Sequence, residues 1–192
     1  IIILLENLER KKKDLEFLID PEKNISHEEK ISQQAGKLIQ KLRDELKKRY
    51  IVNENKNKNI NNNNNDLDDL TKFCVRIVFL LYAEDSGLFN KSQFHDYLKP
   101  RELVARDALK KLFDVLDQKI NERDPYLETD LKNFPYVNGG LFKGEIEIPG
   151  LDGEPFKIIL EEMSEGFNWN EINPTIFGAI FESVLNDEDQ HS

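Results

Sequence analysis

One cysteine, Cys74, in 192 residues excludes an internal disulfide and any zinc site built from several thiolates. Its place on an apolar helical face predicts a small buried side chain. No apolar run approaches the ~20 residues that span a bilayer, and the residues near Ile1 lack the basic start, apolar run and small-residue cleavage site of a signal peptide. The sequence therefore reads as soluble and cytoplasmic. No Gly-x-Gly follows a strand and no Gly-Lys-Ser/Thr occurs, so the loops that hold a methyl donor, a dinucleotide or a nucleoside triphosphate are missing. Methionine occurs once, at Met163, and the chain opens on Ile1-Ile2-Ile3-Leu4-Leu5, which reads as a segment of a longer polypeptide.

Positive charge is also short, and unevenly so. Formal net charge is −10; residues 1–65 carry 14 basic and 11 acidic side chains, whereas residues 66–192 carry 13 and 26. DNA phosphates repel so acidic a stretch, which predicts that the chain meets DNA through a larger parent and not directly.

What is present is mainly helical periodicity. Leu4, Leu8, Leu15 and Leu18 form a first helical pattern around Arg10-Lys11-Lys12-Lys13, a run that flanking acids make a solvated face, and Asp20-Pro21 breaks it. Ser26 and Glu29 have capping-box spacing ahead of Ile31, Ala35, Leu38, Leu42, Leu46 and Tyr50. Residues 53–65 hold nine asparagines and a single apolar residue, Ile60, the composition of a linker. Asn65 or Asp66 can cap the next helix, whose stripe Leu67, Leu70, Phe73, Cys74, Ile77, Val78 and Leu81 is broad enough to be central, with Gly87 at its end. Ser92 is a cap for a short helix through Leu98, Pro100 closes it, and a further helix runs from Leu103 past Ile120 until Asp124-Pro125. Eight of the nine glycines fall from Gly87 onward, Phe134 to Phe142 reads as an ordered loop, and Glu145-Ile146-Glu147-Ile148 alternates like a short strand. A short helix follows over 156–163, and Asn173-Pro174 opens a last one through Ile176, Phe177, Ile180, Phe181, Val184 and Leu185. The expected fold is mainly α: a multi-helix bundle with an ordered glycine-containing loop region and at most a short β-hairpin. Its expected segments are a helical pair over 1–52, a linker over 53–65 and a core over 66–192.

Few residues invite a chemical reading. Asp124 with Asp130-Leu131-Lys132 imitates the acid and acid-x-Lys pattern of magnesium nucleases, but Pro125 and Pro135 bracket a loop with no strand. Asn173-Pro174 imitates a base-gripping loop of amino-methyltransferases, yet Thr175 and Ile176 stand where a second proline and an aromatic are needed. Glu84-Asp85 could act as an acid-base pair but has no adjacent His or Lys, so a hydrogen-bonded turn through Ser86-Gly87 is the simpler account. Trp169 reads as an anchor between packed elements, and His95 as a structural residue.

Several of these segments together resemble one family. Phe73 to Phe89, including Ala83-Glu84-Asp85-Ser86-Gly87-Leu88-Phe89, then Gln93-Phe94, Tyr136-Val137-Asn138-Gly139-Gly140-Leu141-Phe142, Trp169, Ile172, Pro174 and Ile176-Phe177-Gly178 resemble the MmeI-like restriction-modification enzymes. In that family one polypeptide carries a nuclease, a helical spacer, an adenine methyltransferase and a target-recognition domain, and the matching segments lie in the spacer. The resemblance implies a connector with no catalytic, cofactor-binding or metal-binding residues of its own. It also implies a parent that methylates adenine with S-adenosylmethionine, with or without a magnesium-dependent nuclease. The neighbouring domains are the implied partners, and Glu84, Asp85, Gly87, Asn138, Gly139, Gly140, Trp169, Phe177 and Phe181 are the structural or interface residues. The alternative is a direct contribution to the methyltransferase pocket through Asn138-Gly139-Gly140, or to DNA recognition.

Overall fold

The structure, a computed structural model, describes residues 21–54, 63–137 and 140–173. The helical patterns expected over 4–19 and 174–185, and the centre of the Asn-rich segment, lie outside the described residues.

Helix α1 (Pro21–Glu54) starts with proline, whose fixed φ suits a first helical turn and whose missing N–H has no partner to lose there. It already runs through Ser26 and Glu29, so the expected start at Ser26 is corrected by five residues. Ala35, Ile39, Leu42 and Leu46 recur every three or four positions and are all buried. Two clasps fasten this helix to the far end of the chain. Arg49 donates to the carbonyls of Gly150 at 2.8 Å and Asp152 at 2.7 Å, and Lys41 pairs with Glu162 at 2.5 Å.

Helix α2 (Asn63–Asp85) begins two residues before Asn65, which with Asp66 is therefore interior to the helix and not its cap. From Leu70 to Ala83 it buries ten of fourteen residues, including Phe73, Cys74, Ile77, Val78, Leu80 and Leu81. A helix apolar on all sides is one packed on all sides. Cys74 lies in this core, and burial pushes its thiol up to about 12. Four α1 side chains join α2 and the later elements in one apolar cluster.

After α2 come α3 (Gln93–Leu98), a 3₁₀ stretch over Lys99–Val104 and α4 (Ala105–Asp117). The seven buried residues of α4 lie on one stripe from Ala105 to Leu116. The helix stops at Asp117, not at Asp124 as the pattern predicted, and Leu103 and Ile120 are 94% and 70% exposed instead of facing the core. Arg123 gives the physical reason. Its guanidinium donates to the carbonyls of Val115 at 2.9 Å, Gln118 at 3.2 Å and Phe134 at 2.6 Å, so it closes the end of α4 and draws the returning chain onto it.

A one-turn helix α5 (Thr129–Lys132) precedes an irregular stretch that holds the remaining aromatics in place. Phe142 meets Phe79 at 5.6 Å and Phe113 at 5.4 Å, and Phe134 meets Phe89 at 5.3 Å and Tyr97 at 5.7 Å. Residues 145–148 alternate as expected, with Ile146 and Ile148 buried, but no strand forms among the described residues. Side chains replace the ladder: Asp69 accepts the Glu147 amide at 2.9 Å and Arg106 donates to the Ile148 carbonyl at 2.5 Å. The segment expected as a helix over 156–163 is α6 (Glu154–Lys157) running into a π-helix over Ile158–Glu165, then a 3₁₀ turn over Trp169–Glu171.

Candidate functional site

The first of the strings that set this sequence apart, residues 83–89, lies where α2 ends. Gly87 follows the helix with φ +77°, a left-handed conformation that glycine takes without strain. The Ser86 amide returns to the Tyr82 carbonyl at 2.8 Å and the Phe89 amide to the Ala83 carbonyl at 2.9 Å. This turn leaves Glu84 and Asp85 side by side and half-buried at the mouth of a cleft of about 640 Å³, whose other walls include Lys91, Ser92, His95, Ser164 and Glu165.

Each carboxylate reaches a different distant element. Glu84 Oε1 accepts the amides of Phe94 at 2.6 Å and His95 at 3.3 Å, the exposed N–H groups of the first turn of α3. A helix start needs such an acceptor, and here it arrives from ten residues upstream. Ser92, the cap expected from sequence, makes no side-chain bond to α3 and instead takes a left-handed φ of 56°. Asp85 Oδ2 accepts the Trp169 amide at 2.7 Å. Burial raises the pKa of both carboxyls against the lowering effect of these amide bonds.

Trp169 is wholly buried: Nε1–H donates to the Met163 carbonyl at 2.7 Å, and Phe167 meets the indole edge-on at 4.9 Å. No ring face is open to stack on a base. On the opposite wall His95 bridges two carboxylates, with Nδ1 3.0 Å from Asp96 and Nε2 2.9 Å from Glu165. Burial works against its charge, but these two bonds outweigh it and raise its pKa. Neither ring nitrogen is directed at Ser92 or Ser164, so the cleft holds no nucleophile and base in register.

A second constellation fixes the other distinctive string. Arg76, almost fully buried in α2, donates through Nε to the Leu141 carbonyl at 3.0 Å and through Nη2 to those of Lys143 and Gly144, each at 3.1 Å. Its guanidinium also lies over the rings of Phe113 and Phe142 at 5.1 and 5.7 Å. Burial lowers its pKa, and Asp117, Asp69 and Asp114 act in the opposite direction. Gly140, with φ +79°, opens the turn that Arg76 grips, closed by the Lys143 amide on the Gly140 carbonyl at 3.1 Å.

Of the residues singled out from sequence, Glu84, Asp85, Gly87 and Trp169 are thus joined in one network, and Gly140 belongs to the Arg76 turn. Asn138, Gly139, Phe177 and Phe181 lie outside the described residues. Arg76, Arg123 and the His95 bridge were missed. For Arg76 the available signal was a lone cation inside the apolar run Phe73 to Leu81. Of the nuclease-like set, Asp124 accepts the Tyr126 amide, Asp130 pairs with Arg101, and Lys132 donates to the Pro125 carbonyl, so the three point to separate partners. Among the described residues no group of three or more His, Cys, Asp or Glu is arranged to hold a metal ion. No helix among them is long and apolar enough to cross a membrane.

Residues 68–142 match the family model described as MmeI, helicase spacer domain. The chain is 37% identical over 123 residues to DNA methyltransferase A of Bacillus subtilis strain 168, covering 62% of this chain and 14% of that protein. It is 31% identical over 145 residues to a Methanocaldococcus jannaschii protein named as a type II restriction enzyme and methyltransferase, covering 62% and 12%. Among solved structures, the type IIL restriction-modification enzyme MmeI in complex with DNA matches with a TM-score of 0.58 at 27% identity, over 84% of this chain and 19% of that one. The chain thus spans about one seventh of the length of the curated relatives it matches.

Proposed function

We infer that this chain, whose residues 68–142 form a spacer domain of the MmeI-like restriction-modification family, is the rigid helical connector of a DNA restriction-modification enzyme and contributes no reacting group. One observation carries this reading. The charged residues in the strings that define the resemblance are engaged with backbone: Glu84 and Asp85 hold the amides of residues 94, 95 and 169, and Arg76 holds the carbonyls of residues 141, 143 and 144. Such bonds fix the mutual orientation of α2, α3, the 3₁₀ turn at Trp169 and the 140–144 turn, which is what a part that sets distances between domains requires.

The names of the relatives support a parent that methylates DNA, at adenine N6 by the family resemblance, with S-adenosylmethionine as donor and with or without a magnesium-dependent nuclease. The donor does not fit the described residues of this chain, which offer no glycine-rich loop leaving a strand, nor does magnesium, for which no acidic cluster converges. The partners proposed are the neighbouring domains of the same polypeptide, in the cytoplasm, and the segments 1–52, 53–65 and 66–192 are proposed as its subdivisions.

Calorimetry and methyl transfer test this in two settings. The chain alone should give no heat with S-adenosylmethionine. In the full-length polypeptide, Arg76→Met should lower methylation only in step with the loss of folded protein. Micromolar donor binding by the chain alone would overturn the reading in favour of a contribution to the methyltransferase pocket.

A further inference from the structure

Although the chain is acidic overall, the outer face of α1 is not. Between residues 30 and 48 its exposed side chains include five lysines, Lys30, Lys37, Lys41, Lys47 and Lys48. At 3.6 residues per turn they fall within an arc of about 140°. That arc lies opposite the buried stripe of Ala35, Ile39, Leu42 and Leu46. Gln33, Gln34 and Gln40 fill the same arc, and Asp44 is its single exposed acid. The face is about 27 Å long from Lys30 to Lys48 at 1.5 Å per residue.

We propose that this face of α1 seats against the phosphate backbone of duplex DNA, holding it without reading its sequence. Its composition selects that partner over another protein surface. Protein interfaces need buried aromatic or aliphatic anchors and are depleted in lysine, whereas between residues 27 and 49 of α1 no large apolar side chain is exposed. Phosphate contacts use lysines together with hydrogen-bonding side chains such as glutamine, and a duplex presents a charge about every 1.7 Å along its axis. Two of the lysines, both exposed, already have carboxylate partners, Lys41 with Glu162 and Glu154 and Lys48 with the half-buried Glu45. Exposed pairs of this kind hold weakly and exchange readily for phosphate. The proposal departs from the expectation drawn from net charge, which averages the basic face of α1 with the acidic remainder. It goes beyond the connector role, which is tested by methyl transfer and stands without it.

The test is fluorescence anisotropy of the 192-residue chain with a random-sequence duplex at several salt concentrations. The variant Lys30→Gln/Lys37→Gln/Lys47→Gln is compared with Lys119→Gln/Lys143→Gln/Lys157→Gln, which removes the same charge from elsewhere, and circular dichroism confirms that both fold. Counterion release gives about 0.9 in the logarithmic salt slope per phosphate contact, so five contacts predict a loss of about 500-fold in affinity over a fourfold rise in salt. The α1 triple variant, with two contacts left, should lose only about 12-fold over the same range. The control triple should keep the steep slope. Equal weakening by both variants, no duplex binding at about 50 mM salt, or tighter binding to polyglutamate than to DNA would each overturn the proposal.

Discussion

Replacing Arg76 by methionine removes the donor that holds three carbonyls on one turn while keeping a long side chain against Phe113 and Phe142, where sulfur packs well. Each hydrogen bond from a charged donor contributes about 1.5–3 kcal/mol net, but three bonds to one guanidinium do not add. Lys143 and Gly144 are exposed residues whose carbonyls can regain water, so the lasting cost falls mainly on the less accessible Leu141. A loss of about 2–4 kcal/mol follows, most of it from one half-buried acceptor left without its charged partner. At about 2–4 °C per kcal/mol for a chain of this size, the midpoint of thermal unfolding should fall by about 4–16 °C. Urea unfolding followed by circular dichroism gives the same quantity, with an unchanged slope showing that only stability has altered. A loss below about 0.5 kcal/mol would refute the reasoning, because it would mean that the turn holds itself and Arg76 is a passenger in the core.

Three further outcomes follow from the same geometry. The raised pKa of His95 means that its bridge contributes stability that is fully present below the ordinary histidine value of 6.5 and is lost as pH rises through the folded-state value; thermal melting between about pH 6 and 8 should show that decline, and His95→Gln should flatten it. Cys74, wholly buried with its thiol pushed up to about 12, should be silent to a thiol reagent in the native state and react once in urea, so rapid native labelling would contradict the packing of α2. Trp169→Phe should cost about 2–4 kcal/mol through the lost bond to Met163 and the unfilled volume, and a smaller loss would show that the 3₁₀ turn is only loosely docked.

Local periodicity made the centre of this fold legible. The stripe from Leu70 to Leu81 is buried as its spacing implied, and Gly87 ends α2 with the positive φ that its position predicted. What the sequence hid is the set of bonds that join distant segments. Ser92 looked like the cap of α3 because caps are usually local, but Glu84 takes that task from the end of the preceding helix. The α4 pattern runs on to Asp124 in the sequence because nothing near Asp117 marks a stop; the stop is Arg123, which folds back onto the last carbonyls. The alternation of residues 145–148 correctly gave which side chains are buried, and failed to give a strand because Asp69 and Arg106 satisfy the backbone in place of a neighbouring strand. For the site, sequence singled out Glu84-Asp85 and Trp169 separately, and their linkage over 84 residues is a property of the fold alone.

The central claim is that Glu84 and Asp85 are fasteners and not an acid-base pair, and the isosteric double substitution Glu84→Gln/Asp85→Asn in the full-length polypeptide tests it most directly. The amide oxygens can still accept the backbone N–H groups of residues 94, 95 and 169, so stability should fall by only about 1 kcal/mol per site. The rate of DNA methylation at 25 °C should then stay within about threefold of the unaltered protein. Removing a group that transfers a proton costs about 10²–10⁴ in rate. A fall of that size with thermal stability unchanged would contradict the account and place the pair in the chemistry.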